Sequence, residues 1–302
     1  MTSSLVVCGK QVRVQGRLLR IARLDADKYH FVDDPAVMLD TLRRSGTRID
    51  VFTFVQKLPE TSPQYAYLME WDNFAALPVS TFDHWWEQQI SNKTRNAARQ
   101  ADKKGVIVRE VPFNEDLARG IRDVYNETPV RQGKPNLHYG KDLATVYREE
   151  ATYLDSSIFI GAFLGEKLVG FAKLVADETR TQAGLMNIVS MIQHRDKAPN
   201  NALVAQAVRS CAERGIDYLV YSSFAYGKKQ RDSLSDFKER NGFKRIEVPR
   251  YYVPLTYRGW AALRLRLHHR LADFCPERVL ATVREIRRNW YNRKLEPAAS
   301  DS

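Results

Sequence analysis

Two polar segments of this chain carry residues whose types and spacing suit proton transfer and anion binding. The first, residues 128–141, is rich in proline and glycine and contains His138, the side chain there that titrates closest to neutral pH. The second contains Tyr226 followed by Lys228 and Lys229, which places a phenol beside two cations that can neutralise phosphate. A tyrosine packed at a strand end and exposed loop lysines are the structural alternatives. Three further polar side chains of the first segment are candidate binding residues: Arg131, Lys134 and Tyr139.

Positive charge is concentrated in two other parts of the chain. The 302 residues include 47 Lys and Arg against 36 Asp and Glu, a formal net charge of +11. Between Tyr257 and Leu295, ten basic residues stand against three acidic ones. A second cluster is opposed only by Asp102 and comprises Lys93, Arg95, Arg99, Lys103 and Lys104. Such segments favour a surface that binds anions, and solvated helices that only aid solubility are the alternative.

Composition excludes several classes of protein. Hydrophobic residues make up 44% of the chain and charged residues 27%, which is typical of globular proteins. No run approaches the roughly 20 apolar residues of a membrane span, and residues 1–10 hold too short an apolar run for a secretory signal. Cys8, Cys211 and Cys275 form no CxxC pair, so neither a zinc site nor a disulfide framework is indicated. These patterns predict a reduced, cytoplasmic protein without a metal.

The elements that must position these residues fall into two groups, of which the first 104 residues predict a small α/β domain. Periodicity predicts a strand or hairpin over residues 11–21, a helix over residues 35–44, and strands over residues 49–55 and 65–71. A helix capped by Ser80 or Thr81 is predicted to continue without a break to Lys104, where Gly105 ends it.

Residues 105–256 predict an α+β domain with a mixed sheet, in the order β-α-α-β-β-β-α-β-α-β-β. Two of its strands are joined as a hairpin at Gly165-Glu166. Pro199 is typical of a first-turn proline and opens a helix that Gly215 closes. Two terminal strands are predicted over residues 243–248 and 251–255.

Several segments of this second domain resemble the GNAT acyltransferase superfamily. Residues 158–172 are similar to a GNAT strand pair, residues 201–216 to the central helix, and residues 237–243 to the helix end before the last strands. In the last of these, Lys238 stands where GNAT proteins usually carry a tyrosine. A Phe-Lys pair near a glycine resembles the Fem-like branch, the aminoacyltransferases of peptidoglycan bridge synthesis. The basic run at residues 93–106 also resembles Fem-like proteins.

The resemblance implies a GNAT-like mixed sheet flanked by helices, preceded by a smaller domain that is itself interpreted as a degenerate GNAT-like half. It implies direct attack of an amine on an activated acyl group, with backbone N–H groups of the third strand stabilising the oxyanion. The implied catalytic residues are Tyr226, Lys238 and His138. The implied donor-binding residues are Lys197, Asn200, Asn201, Val189, Met191, Lys228 and Lys229. The implied acceptor-binding residues are Arg131, Lys134 and Tyr139.

The donor is left with two alternatives. GNAT enzymes that use acyl-CoA carry glycines before the central helix, which let backbone N–H groups approach the pyrophosphate. Here residues 195–202 read Arg-Asp-Lys-Ala-Pro-Asn-Asn-Ala and contain no glycine. Acyl-CoA is the first choice because it is the commonest donor in the superfamily. Aminoacyl-tRNA is the second choice, favoured by Lys238, by the basic helix at residues 93–104 and by the missing glycines.

The C-terminal segment, residues 257–302, has apolar residues at a spacing of three or four and arginines between them. This pattern predicts two basic amphipathic helices broken near Cys275-Pro276. Such helices can contact an anionic membrane surface through residues 257–295, or RNA phosphates. Packing of their apolar faces on the core is the alternative.

The sequence therefore predicts three parts: residues 1–104, residues 105–256 and residues 257–302. The leading hypothesis is an N-acyltransferase acting on an amine acceptor, cytoplasmic or peripheral to the inner face of the membrane. An aminoacyl-tRNA-dependent Fem-like transferase acting on a cell-envelope precursor is one alternative. A non-catalytic anion-binding module, or an adaptor built around the C-terminal helices, is another.

Overall fold

The computed structural model describes residues 2–26, 29–131, 134–224 and 233–269. Three of the predicted site residues, Tyr226, Lys228 and Lys229, lie outside these ranges. The predicted C-terminal helices beyond residue 269 lie outside them as well. Within the described ranges, no helix is both long enough and apolar enough to cross a membrane.

Thirteen strands are present in the described ranges. In chain order they are β1 (Thr2–Val7), β2 (Lys10–Gln15), β3 (Ile21–Leu24), β4 (Val51–Val55), β5 (Leu68–Pro78), β6 (Val106–Val111), β7 (Val130–Arg131), β8 (Lys134–Pro135), β9 (Ser157–Leu164), β10 (Lys167–Ala176), β11 (Gln182–Ser190), β12 (Tyr218–Val220) and β13 (Lys244–Pro254). Eleven of them form one mixed sheet, and β7 and β8 form a separate short hairpin. The two predicted terminal strands are a single strand, β13.

Helices pack on both faces of the sheet. In chain order they are α1 (Pro35–Arg44), α2 (Phe82–His84), α3 (Asn92–Lys103), α4 (Glu115–Tyr125), α5 (Leu143–Glu150), α6 (Pro199–Glu213), α7 (Ser233–Arg240) and α8 (Tyr257–Arg264). Asp34 caps α1 by accepting the Ala36 N–H at 2.8 Å, and Asn114 caps α4 by accepting the Leu117 N–H at 2.9 Å. The predicted helix over residues 35–44 is confirmed as α1, and the helix opened by Pro199 is confirmed as α6.

The single helix predicted between Ser80 and Lys104 was wrong. Thr81 does cap its start, but α2 passes into a turn of π-helix at Trp85–Gln89, and Ile90 is extended. Ser91 then caps α3 by accepting the Thr94 N–H at 3.3 Å. The pattern was misleading because the chain on both sides of this break is helical and amphipathic, while Ser91 begins a new helix.

The strand order has an approximate two-fold symmetry. The order is β1-β2-β3-β4-β13-β5-β12-β11-β10-β9-β6. Counted outwards from the boundary between β13 and β5, the strands of the two halves follow a similar arrangement. On one side β3 and β4 are parallel and joined through α1, and on the other β11 and β12 are parallel and joined through α6. The last strand of each half, β5 or β13, pairs with the other half. This repeat agrees with the interpretation of the N-terminal part as a degenerate GNAT-like half.

The two faces of the sheet are covered differently. One face carries α1 over the first half and α6 with α3 over the second, above hydrophobic clusters. On the other face α4 and α5 cover the second half. The first half has no counterpart of these two helices among the described residues, and α8 packs against β13 there instead.

We predict that Gly259→Ala loosens α8 from the sheet. A Cβ at Gly259 would lie 1.8 Å from the carbonyl oxygen of Asp50, so helix or strand backbone must move. The expected loss is about 1–3 kcal/mol of unfolding free energy, measured by urea denaturation. Arg258→Ala, at an exposed position of the same helix, is the control and should stay within about 0.5 kcal/mol of the parent. Equal stability of the two variants would contradict the close packing of α8.

Candidate functional site

The clearest opening in the sheet lies between β11 and β12. These strands pair only from Gln182 to Gly184, although β11 continues to Ser190. At the point of divergence β11 has a bulge against β10, where the register shifts between Lys173 and Leu174. Because a bulge bends its strand and increases the local twist, it turns β11 away from β12. The second half of β11 therefore presents an unpaired edge.

Hydrogen bonding along β11 shows which backbone groups face this opening. Met191, just past the strand, donates its N–H to Val169 of β10 at 2.8 Å. Because successive residues of a strand present their N–H groups to opposite sides, those of Ile188 and Ser190 face away from β10. Ser190 agrees with this, since its carbonyl oxygen accepts from Arg131 Nη1 at 2.9 Å rather than from a strand. Ile188 and Ser190 therefore supply the N–H groups at the opening.

The N-terminus of α6 lies after a short 3-10 turn, Ile192–Lys197, that follows β11. Ala198 has a left-handed backbone with φ of 52°, and no side chain of the described residues caps the helix. Asn200 has a buried Oδ1 without a hydrogen-bond partner among the described residues. Asn201 Nδ2 lies 3.4 Å from Asn241 Oδ1. An uncapped helix N-terminus attracts anions through its free N–H groups and its dipole.

The 3-10 turn is held in place from two sides. Glu127 accepts the N–H groups of Ile192 and Gln193 at 2.7 and 2.9 Å. On the other side, the Lys104 ammonium is 3.1 Å from the Asp196 carboxylate and 3.0 Å from its carbonyl oxygen. These contacts fasten the basic helix α3 to the turn. Glu127 thus occupies the N–H groups at the start of the turn, and Asp196 places a carboxylate three residues before the start of α6.

Lys238 is a fully buried cation on α7. Its Nζ donates to the carbonyl oxygen of Ser223 at 2.6 Å and lies 4.6 Å above the ring of Tyr221. Tyr221 and Ser223 belong to the stretch in which the chain leaves β12 towards Tyr226. The ammonium is therefore fixed beside the residues that follow β12 at the opening.

On the other face, a cluster of polar side chains surrounds Glu150, which is 3% exposed. Its Oε1 accepts from Tyr125 Oη and from Asn187 Nδ2, both at 2.8 Å. Lys173 lies close by, and its Nζ donates to the carbonyl oxygens of Glu150 and Thr152 at 2.7 Å. Lys173 thus caps the C-terminus of α5, where the helix dipole favours a cation. Asn187 connects this cluster to the diverging part of β11.

Burial controls the ionisation of this cluster. It raises the pKa of the Glu150 carboxyl against the opposing effect of the Tyr125 hydrogen bond. Burial likewise raises the pKa of Tyr125, and the neighbouring Glu150 charge adds to the effect. The pKa of Lys173 is lowered from 10.5 to about 8, because burial penalises the ammonium more than Glu150 stabilises it. The carboxyl and the ammonium therefore both titrate closer to neutral pH than they do in water.

The polar segment at residues 128–141 packs against the outer side of Tyr125. The His138 ring is stacked on the Tyr125 ring with 4.1 Å between centroids, and its Nδ1 is 3.2 Å from Lys141 Nζ. Burial and then the Lys141 charge lower the pKa of His138, so it is neutral at pH 7. Arg131 bonds Glu127 at 3.0 Å as well as the end of β11. The segment is thus fixed to the same side of the opening as Glu150.

The structure brings together only some of the residues predicted from sequence. Lys238, Asn200 and Asn201 border the opening, and Lys197 lies beside them with its Nζ 3.3 Å from Asp196. His138 and Arg131 belong to the opposite face, where Lys134 and Tyr139 are exposed. Val189 and Met191, also predicted as donor-binding residues, lie on or next to β11; the Met191 N–H bonds Val169 of β10, and by alternation the Val189 N–H faces β10 as well.

Sequence reasoning missed Tyr125, Glu150 and Lys173 as site residues. Lys173 had a usable signal, because it is the one charged residue between Leu168 and Ala176 in an otherwise apolar strand. Tyr125 and Glu150 had none, since each lies at the end of an ordinary amphipathic helix. The contact between Tyr125 and Glu150 depends on the packing of α4 against α5, and no local sequence pattern predicts that packing.

Solved structures of known proteins resemble this chain over most of its length. One is the C-terminal domain (DUF2156) of a protein from Agrobacterium fabrum described as a lysylphosphatidylglycerol synthetase, with 14% identity, 88% of this chain and 86% of that chain covered, and a TM-score of 0.57. L-PGS from Bacillus licheniformis has 13% identity, 89% and 90% coverage, and a TM-score of 0.55. FemX has 11% identity, 82% and 87% coverage, and a TM-score of 0.49.

No protein-family model matches the chain, and no curated protein sequence matches it significantly. At such low identities, structural similarity shows a common fold. The chain has the GNAT fold, with a large mixed sheet flanked by helices, and the α+β class predicted from its sequence is confirmed.

The lowered pKa of Lys173 predicts a pH effect on stability. Between pH 8 and 10.5 the unfolded chain binds the proton of this lysine more tightly than the folded chain, so this group makes stability rise with pH. Replacing it in Lys173→Met should remove up to about 3 kcal/mol of that rise. The measurement is urea unfolding of both proteins from pH 8 to 10.5. Parallel pH profiles would show that Lys173 has an ordinary pKa.

Proposed function

We propose that this chain is a GNAT-type acyltransferase that moves an acyl group from an activated donor to an amine acceptor. The observation that carries the proposal is the opening between β11 and β12. A helix N-terminus and the buried Lys238 ammonium border it on the donor side. A buried carboxylate cluster around Glu150 borders it on the acceptor side. Acyl transfer needs these parts, because both substrates must be aligned and charge must be stabilised between them.

Each step of the reaction has a candidate group. The N–H groups of Ile188 and Ser190 are placed to stabilise the oxyanion that forms when the amine attacks the acyl carbonyl. Glu150 is the proposed acceptor of the amine proton, because its raised pKa brings it closer to neutral, as a general base requires. Lys238 supplies positive charge beside the transferred group. Tyr226 stays the predicted proton donor to the leaving group.

The turn before α6, residues 192–198, favours aminoacyl-tRNA over acyl-CoA as the donor. The N–H groups of Ile192 and Gln193 are already bonded to Glu127, and the Asp196 carboxylate pairs with Lys104 and Lys197, the two lysines that a pyrophosphate would otherwise contact. The helix fastened to this turn, α3, has three exposed cations that can contact a nucleic acid backbone: Lys93, Arg99 and Lys103. The printed names of two similar structures, lysylphosphatidylglycerol synthetase and L-PGS, support aminoacyl transfer to a lipid as the reaction class.

Acyl-CoA is the second candidate donor. The observation that favours it is the uncapped N-terminus of α6, with Pro199 at its first position and the unpaired Asn200 Oδ1 beside it. The acceptor is proposed to enter past residues 128–141, where Lys134 and Tyr139 are exposed. A lipid or an envelope precursor as acceptor agrees with a location at the inner face of the membrane. Residues 257–295 stay the predicted contact with an anionic surface or RNA.

Ligand-dependent stability tests this proposal. An aminoacyl-tRNA pool at ~100 times its dissociation constant should stabilise the protein by about 2.7 kcal/mol, which thermal unfolding detects readily. Acetyl-CoA and CoA should leave the melting temperature unchanged. Stabilisation by CoA species alone would make acyl-CoA the donor, and no shift with any of these ligands would contradict the enzyme proposal.

Lys238→Met tests the catalytic part of the proposal. Loss of one preorganised charge at the reacting group is expected to lower transfer from aminoacyl-tRNA to a lipid extract by about 100- to 1,000-fold. Lys244→Met, at the exposed start of β13, is the matched control and should retain activity. Thermal unfolding of both variants checks that they fold. Full activity in a folded Lys238→Met variant would remove this residue from the mechanism.

Salt dependence tests the role of α3. If Lys93, Arg99 and Lys103 each contact a phosphate, the triple alanine variant should lower the slope of log affinity against log salt by roughly 2–3. Arg148→Ala, exposed on α5 on the opposite face, is the control and should leave the slope unchanged. Filter binding of tRNA between 50 and 200 mM salt gives the slopes. An unchanged slope in the triple variant would place the tRNA elsewhere.

A further inference from the structure

Three side chains with metal-binding atoms converge in the first half of the molecule, away from the opening. Glu70 projects from β5, and His268 and His269 follow α8. The Nε2 atoms of both histidines lie 3.0 Å from the same oxygen, Glu70 Oε1. One ligand atom from each of the three residues lies within 4.8 Å of the others. No other such group occurs among the described residues.

The backbone after α8 explains how two consecutive histidines reach one carboxylate. The helix ends in a Schellman motif, in which Leu267 N–H bonds Ala262 O at 2.9 Å and Arg266 N–H bonds Leu263 O at 3.1 Å. Arg266 has the left-handed backbone that this motif requires, with φ of 55°. The motif reverses the direction of the chain and returns the next residues to the sheet.

The site is partly buried and still reachable from solvent. The His268 side chain is 1% exposed, whereas those of His269 and Glu70 are 28% and 33% exposed. The ring of His268 packs on Tyr252 with 4.7 Å between centroids and on His269 with 4.2 Å. Its Nδ1 has no partner among the described residues, so Tyr252 and Glu70 orient the ring. One ligand is thus preorganised, and a cation can enter past the other two.

We propose that Glu70, His268 and His269 form a binding site for a divalent transition-metal cation, with Zn²⁺ as the best fit. Tetrahedral zinc has bonds of about 2.0–2.2 Å to nitrogen and oxygen, which separates ligand atoms by about 3.3 Å. The two histidine–carboxylate distances of 3.0 Å need a change of only a few tenths of an ångström, and the histidine ligand atoms, within 4.8 Å of each other, must settle at about 3.3 Å. Two imidazoles with one carboxylate suit zinc, whereas Ca²⁺ and Mg²⁺ prefer oxygen ligands. Water fills the fourth position.

The electrostatic setting agrees with a cation at this place. The nearest arginine on β13, Arg250, forms an ion pair with Asp72 at 2.9 Å. Glu70 lies two residues before Asp72 on the same face of β5. Glu70 and His268 are 198 positions apart in the sequence, so the metal would bridge β5 to the residues that follow α8. Bound Zn²⁺ therefore fastens the end of α8 to the sheet.

The test uses the full chain without a histidine tag, freed of metal by dialysis against a chelator. We expect elemental analysis after zinc loading to give one Zn²⁺ per chain, and zinc to raise the melting temperature while Ca²⁺ and Mg²⁺ do not. Competition with a chromophoric chelator measures affinity. Loss of a residue that hydrogen-bonds a metal ligand typically weakens metal binding by roughly 10–100-fold. Glu70→Gln and His269→Gln remove a ligand itself, so each should weaken zinc binding by more than this.

His84→Gln is the control, because His84 is exposed on α2 outside the cluster. It should bind zinc as the parent does. His268→Gln removes the buried ligand, and its melting temperature without zinc shows whether it folds. Circular dichroism shows whether Glu70→Gln and His269→Gln fold. The proposal is overturned if the folded parent binds no zinc at micromolar concentrations, or if Glu70→Gln and His269→Gln bind it as tightly as the parent.

Discussion

The exchange of β5 and β13 between the two halves is the constraint on which the rest of the fold depends. An unpaired strand edge leaves a row of backbone hydrogen-bonding groups unsatisfied, so each half alone would expose one. Pairing of β13 with β5 over nine residue pairs, from Lys244–Ala76 to Tyr252–Leu68, removes both edges. It also holds β12 through β5 on the side away from β11. Because β12 is secured there, β11 can diverge from it, and the opening can exist without loss of the strand.

The same exchange lets residues of the first half position groups of the second. Trp85 Nε1 bonds Asn241 O at 3.1 Å, and Thr94 Oγ1 bonds Arg240 O at 3.0 Å, so both cap the end of α7. That helix carries Lys238. On the opposite face, Tyr29 lies so close to Gly184 that a Cβ there would be 1.7 Å from its ring. The candidate site is therefore a joint product of both halves, although most of its polar side chains come from the second.

The sequence predicts elements well and their arrangement poorly. Proline and capping residues are local signals, which is why the bounds of α1 and the start of α6 at Pro199 were correct. Ser91 was predicted to lie inside a helix, because the sequence alone does not distinguish a capping serine from a polar residue on the surface of a helix. The position of β13 between β4 and β5 is a pairing between distant residues, and no periodicity encodes it. Lys238 was proposed as a site residue from a resemblance, whereas the Glu150 cluster becomes visible only through the packing of four elements.

The buried charges near the opening are better explained by function than by stability. Burying the Glu150 carboxylate and the Lys173 ammonium costs solvation that their attraction only partly offsets, and apolar residues of similar volume would serve the core at least as well. The opposite pKa directions of the two groups express that cost. The pair instead fixes the positions of its neighbours. Lys173 bonds the end of α5, which carries Glu150, and Glu150 accepts a hydrogen bond from Asn187 at the place where β11 diverges. A fixed polar group at that point agrees with the proposed transferase site, and a purely structural core does not need it.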